Sequence, residues 1–148
     1  MTLPSQIERR VKDSFSLQTI MTTFGASLTV IEPGQVTIEA DVGPLVLQQQ
    51  GFAHAGFVFA LGDSAAGYAA LTTLPDDAEV VTVEMKINLL APATGHLRAQ
   101  GRVIKAGKRV TVVGADVWAA DRSGRTKHIA VLQGTMILVR KDAPAQQA

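Results

Sequence analysis

"GFAHAGFVFALGDSAAGYAALTTLP", Gly51 to Pro75, is the stretch whose reading decides the fold. It is almost wholly apolar or small, and it holds one carboxylate, Asp63. From about Ala55 to Leu74 it reads as a helix, which Pro75 and the two acids after it end. A helix that is apolar nearly all round has to be wrapped by other elements. At about 100° per residue, Gly56, Ala60, Asp63, Gly67 and Ala70 fall within about 40° of one line, and Phe57, Leu61 and Tyr68 cluster elsewhere. The bulky side is expected to fill the core of a sheet. The small side lets a second backbone or a ligand come close, and Asp63 lies on it.

Outward from this helix, the pattern says what wraps it. Upstream, residues 1–24 read as a helical segment, with a capping-box pattern at Ser5 and Glu8 and a break at Ser14-Phe15-Ser16. "ASLTVIEPGQVTIEADVG" reads as a hairpin turning at Pro33-Gly34. Downstream the period becomes two. In "EVVTVEMKINLLAP", Val81, Val83, Met85, Ile87 and Leu89 take one face, and Thr82, Glu84, Lys86 and Asn88 the other. Three further strands follow, joined by short turns, "AGKR" and "DRSGR" among them, so they are expected as antiparallel neighbours. The last eight residues, 141–148, read as a frayed tail. The whole is an α+β layer in one domain spanning 1–148: a central helix and an antiparallel sheet.

Composition narrows the function. The chain has 148 residues, 47% hydrophobic and 18% charged, which suits a single globular domain. A net charge of +1 gives no footprint for nucleic acid or an anionic membrane. With no cysteine there is no disulfide, thiolate metal site or cysteine nucleophile. "MTLPSQIERRVKD" carries no apolar run after its charges, so it is no secretory signal, and the expectation is a cytoplasmic protein. His96 and His128 have no acid or second His at ligand spacing, so no metal and no cofactor is expected.

A buried carboxylate costs several kcal/mol, of the order given for unpaired ions, unless it is paired. Asp63 reads either as a buried acid satisfied by a neighbour or as a general base whose proton affinity burial has raised. The start of the same helix offers the complement. The N–H groups of Ala55, Gly56 and Phe57 form a positive helix end suited to polarising a carbonyl. Asp63, however, lies about 10 Å further along the axis than Gly56. A base must sit about 3 Å from its proton, or one water away. Two antiparallel copies packed small face to small face would bring one chain's acid to the other's helix start, so a homodimer with two shared sites is expected.

These residues are familiar in combination. "HAG", an acid nine residues after the His, "VTVEMKINLLAPA" and "GRVIKAGKRVTVVGADV" together resemble the PaaI-type hotdog-fold acyl-CoA thioesterases, over about Ser14 to Met136. The resemblance implies a hotdog fold, a dimer or a tetramer of paired dimers, and metal-free hydrolysis of an acyl-CoA. It places the family's helix acid on Asp63, as base or nucleophile, and its "HGG" on His54, Ala55 and Gly56, with the Ala55 N–H on the thioester oxygen. It puts an amide that positions water or substrate at Gln48, a hydroxyl near the nucleophilic water at Thr82, and CoA-phosphate contacts at Lys105, Lys108 and Arg109. The chain departs from the pattern at Ala55, a Gly in the family, and at Gln48, an Asn in many relatives.

Other residues read more plainly. His54 either orders the loop and touches the thioester or makes a helix-entry hydrogen bond. His96 and His128 read as surface residues, Trp118 as core, and Ser64 lacks a His to activate it. Two rival functions remain at this stage: a hotdog module that binds acyl-CoA without cleaving it, and a hydratase or dehydratase on the same fold. Phe52, Phe57, Phe59 and Tyr68 suit an aryl or an aliphatic acyl group equally.

Overall fold

The computed structural model describes residues 4–140. Two short helices come first, α1 (Ser5–Leu17) and α2 (Thr19–Thr23), then the hairpin β1 (Ser27–Glu32) and β2 (Gln35–Asp41). A 3-10 turn at Pro44–Val46 leads to the long helix α3 (Ala55–Leu71). Four strands follow: β3 (Ala78–Leu89), β4 (His96–Ala106), β5 (Val110–Ala120) and β6 (Thr126–Arg140). All six form one antiparallel sheet in the order β1-β2-β4-β5-β6-β3, with α3 packed against β2 to β6. This is the expected α+β arrangement. The expected tail at 141–148 lies outside the described residues.

What lets the helix lie so close is Gly101 in β4. A Cβ there would stand 2.2 Å from the carbonyl carbon and oxygen of Ala65 and 2.4 Å from the nitrogen of Ala66. Ala65 and Ala66 are fully buried. The helix therefore sets its small residues, not its rings, against the middle of the sheet. The rings meet the N-terminal helices: Phe57 is edge-on to Phe24 at 4.9 Å, and Tyr68 to Phe15 at 6.0 Å between centroids. Of the small side, Gly56, Ala60 and Asp63 stay open or half-open, while Gly67 and Ala70 are buried within the chain.

Several expectations are corrected. The N-terminal helix breaks at Gln18, which is extended (φ −78°, ψ 93°), and not at Ser14-Phe15-Ser16. Pro4 is the N-cap and no side chain caps the helix; Glu8 pairs with Lys12 instead, so the capping box does not form. Helix α3 stops at Leu71, three residues early. Thr72 turns its hydroxyl back to the Ala69 carbonyl at 2.7 Å and accepts the Gly34 N–H at 2.8 Å, and the Arg10 guanidinium takes the carbonyls of Leu71, Leu74 and Pro75. Strands β3 and β4 are not neighbours despite their short link: β3 pairs with β6 and forms one edge of the sheet. Finally, the faces of β3 are not those of simple alternation. The register slips between Thr82 and Glu84, so Val83 is a bulge. Val81 and Val83 are 47% and 57% exposed, and Val80 and Thr82 turn toward the helix along with Met85 and Ile87.

Candidate active site

The bulge decides what Asp63 meets. With Thr82 turned inward, its hydroxyl donates to Asp63 Oδ1 at 3.0 Å. Asp63 is half-buried, and burial pushes its proton affinity above the ordinary carboxylate value, an effect that the Thr82 hydrogen bond partly offsets. It lines a pocket of about 150 Å³ together with Gln18, Ser64, Tyr68 and Thr82. No cation pairs with it among the described residues, so the structure gives no salt-bridge account of this acid.

The other end of α3 is built by His54. Its backbone is extended (φ −64°, ψ 140°), and its Nδ1 accepts the Gly56 N–H at 2.8 Å. Accepting there leaves any proton of a neutral ring on Nε2. The His54 carbonyl takes the N–H groups of Phe57 and Val58, at 3.0 and 3.2 Å. Of the three donors expected at this end, two are thus engaged, and only the Ala55 N–H lacks a partner among the described residues. His54 is exposed and performs the helix-entry bond.

Ala55 opens onto a cleft of about 370 Å³, shared with Gln48, Phe52, Val58 and the segment from Leu89 to Ala93. Gln48 is here, far from Asp63, and its amide is turned to Gln50. Within one chain the structure therefore brings together Asp63 with Thr82, and separately Gln48 with His54, Ala55 and Gly56. Eight residues separate Ala55 from Asp63, about 12 Å of helix.

Lys105 near the end of β4, and Lys108 and Arg109 in the β4–β5 turn, are exposed, and none has an acidic partner among the described residues. They sit at the Asp63 end of the sheet. Thr82, Met136, Thr111 and Ala106 form one row across β3, β6, β5 and β4, and the turn begins just beyond it.

Sequence reasoning missed Gln18. Lying at the α1–α2 break, it donates to the Tyr68 hydroxyl at 2.8 Å and accepts from Ser64 at 3.3 Å. It also missed the acids that hold two histidines on the outer face of the sheet. His96 lies between Asp41, at 2.7 Å, and Glu39, at 2.9 Å; both hydrogen bonds raise its proton affinity. His128 lies 2.9 Å from Asp116 and stacks on Trp118, which is on this half-exposed face and not in the core. These acids come from neighbouring strands, so no local spacing announces them. Among the described residues no group of three or more His, Asp or Glu converges as a metal site, and no helix is long and apolar enough to cross a membrane.

Residues 50–125, which hold the helix start, Asp63, Thr82 and the cationic turn, match the pattern of the thioesterase superfamily. The chain belongs to that superfamily. Among its members, a Saccharolobus solfataricus protein named as a candidate esterase is 31% identical over 88% of this chain and 85% of its own. The 1,4-dihydroxy-2-naphthoyl-CoA hydrolase of Listeria monocytogenes is 26% identical over 80% of this chain and 94% of its own. The crystal structure of a thioesterase family protein from Silicibacter pomeroyi superposes with a TM-score of 0.88 at 36% identity, covering 90% of this chain and 98% of that one. The E. coli PaaI protein, at 18% identity, shares the fold with a TM-score of 0.81 over 93% and 96% of the two chains. The expected hotdog architecture of the PaaI-type thioesterases and the enzymatic class, thioester hydrolase, agree with this membership.

Proposed function

We propose that this chain hydrolyses acyl-CoA thioesters, with Asp63 of one subunit and the α3 start of a second forming each site. One observation carries the reading: a half-buried acid with raised proton affinity and an unpartnered N–H stand on the same helix, about 12 Å apart. A base of this kind can hold water and accept its proton as the water oxygen attacks the thioester carbon. The oxygen of that carbonyl gains negative charge and takes the Ala55 N–H, with the helix dipole behind it. Collapse breaks the carbon–sulfur bond, and the sulfur leaves as CoA thiolate, which the proton from Asp63 neutralises. Thr82 keeps enough of Asp63 ionised to serve, Gln48 orients water or thioester, His54 holds the helix start, and Lys105, Lys108 and Arg109 receive the CoA phosphates.

Dimer formation has support in the edge strand. β3 is long, its outer side carries exposed Val81 and Val83, and such an edge pairs readily with another copy. Dimers of this kind can pair further into tetramers without changing a site.

The test begins with a thiol-release screen over short, medium, long and aryl acyl-CoAs. Asp63→Asn is expected to lower kcat about 10²–10⁴-fold. Refolding that variant together with Ala55→Pro tests the shared site. Each parent is inactive alone, whereas random mixing restores about a quarter of the sites, because half the dimers are mixed and one site in each is intact. Silent mixtures alongside inactive parents would place both groups in one chain's site and refute the arrangement.

A further inference from the structure

Ser14, Gln18, Ser64 and Tyr68, which line the pocket beside Asp63, are joined in a bridge of hydrogen bonds. The Tyr68 hydroxyl meets Ser14 Oγ at 3.2 Å and accepts from Gln18 Nε2 at 2.8 Å, and Gln18 Oε1 accepts from Ser64 Oγ at 3.3 Å. Tyr68 and Ser64 belong to α3, whereas Ser14 and Gln18 belong to the N-terminal helical segment. A second, open cleft of about 390 Å³ runs along α1, and Ser14 and Glu79 line both spaces. The bridge is anchored from outside. Arg10 ties α1 to three carbonyls at and just past the end of α3, and the Phe15 ring packs against that of Tyr68.

We propose that the Ser14–Tyr68–Gln18 bridge is the end wall of the acyl pocket and restricts the acyl group to a short chain or a single ring. The inference rests on the reading of Asp63 as the thioesterase acid. A cavity of about 150 Å³ holds a benzene-sized guest. CoA is far too large for it, so only the acyl half of the substrate enters. Both polar ends of the Gln18 amide are engaged in the wall, and an alkyl chain pushing through would leave them unpaired. Nor would the chain be rewarded beyond it, because the second cleft presents Arg9, Asp13 and Asp76.

Binding of S-alkyl-CoA thioethers, which have no carbonyl to attack, tests the wall by calorimetry without turnover. In the parent protein, affinity is expected to rise about fourfold per added methylene, the equivalent of about 0.8 kcal/mol, as far as hexyl, and then to stop. Gln18→Ala removes the middle of the wall, and the rise should continue to longer chains. Gln18→Leu keeps the bulk, and the stop should stay at hexyl. The corresponding acyl-CoAs should show the same break in kcat/KM. An unbroken rise to dodecyl in the parent, or a Gln18→Ala profile that matches the parent's, would overturn the proposal. If the thioether profile breaks at hexyl but no acyl-CoA is hydrolysed, the wall stands and the thioesterase reading falls. If hydrolysis occurs with no break, the reverse holds.

Discussion

Ala55→Pro isolates a single hydrogen from the rest of the molecule. Ala55 is the first residue of α3, where proline is tolerated because its missing N–H has no intrahelical partner. The residue before a proline must be extended, and His54 already is, at φ −64° and ψ 140°. The Gly56, Phe57 and Val58 N–H groups keep their His54 partners. The substitution thus deletes the one free donor at the helix start and leaves the others in place. Removing one donor from an oxyanion site lowers kcat about 10²–10³-fold, or about 2.7–4 kcal/mol of barrier. The fold should not suffer: proline in a compatible conformation adds about 0.4–1 kcal/mol by restricting the unfolded chain. Thiol-release kinetics and a thermal melt on the same sample read both effects. Ala55→Gly keeps the N–H and, as control, should retain activity. A proline variant with full turnover and an intact melt would remove Ala55 from the mechanism.

Other expected outcomes concern the acid and its supports. Thr82→Val removes the hydroxyl that holds down the proton affinity of Asp63. The acid limb of the kcat/KM profile should move to higher pH, with about a tenfold loss on the acid side that shrinks as pH rises. A profile lowered equally at every pH would refute that role. In Asp63→Asn, stability separates from activity. Burial makes the native state bind the Asp63 proton more tightly than the unfolded chain does, so stability falls as pH rises from the ordinary value of 3.8 through the raised one. The Asn variant should match or exceed the parent in urea melts at pH 8 and lose that advantage in acid; a variant less stable at pH 8 would contradict it. Gly101→Ala forces a Cβ to 2.2 Å from the backbone of Ala65, which cannot swing aside as a side chain can. A loss of about 1–3 kcal/mol or more is expected in denaturant. No change in the midpoint would mean that the helix stands further off the sheet.

The central helix, the order of the elements and the small face bearing Asp63 were legible because they are periodic and local. What escaped was set by neighbours distant in sequence. Gln18 could not be read as part of the pocket, because it reaches Tyr68 and Ser64 from 50 and 46 residues away. The acids around His96 and His128 belong to strands that only the sheet order places beside them. Alternation in β3 misassigned Val81 and Val83, since a bulge leaves no mark in a run of valines. The resemblance to a family placed Thr82 near the acid, where alternation alone had put it with the charged residues of the other face.

The bulge at Val83 also makes β3 a strand of two phases. On one side of it the even-numbered residues Val80 and Thr82 face the helix; on the other the odd-numbered Met85 and Ile87 do. Loss of Val83 alone would bring the two halves into step with neither turned over, because Thr82 inward, Glu84 outward and Met85 inward then alternate. Thr82 would keep its place beside Asp63, and the Thr82–Met136 and Glu84–Thr135 pairs would stand. For this segment a one-codon deletion at position 83 is therefore a milder lesion than a replacement of Thr82, and drift there is free in length as long as Thr82 still turns inward.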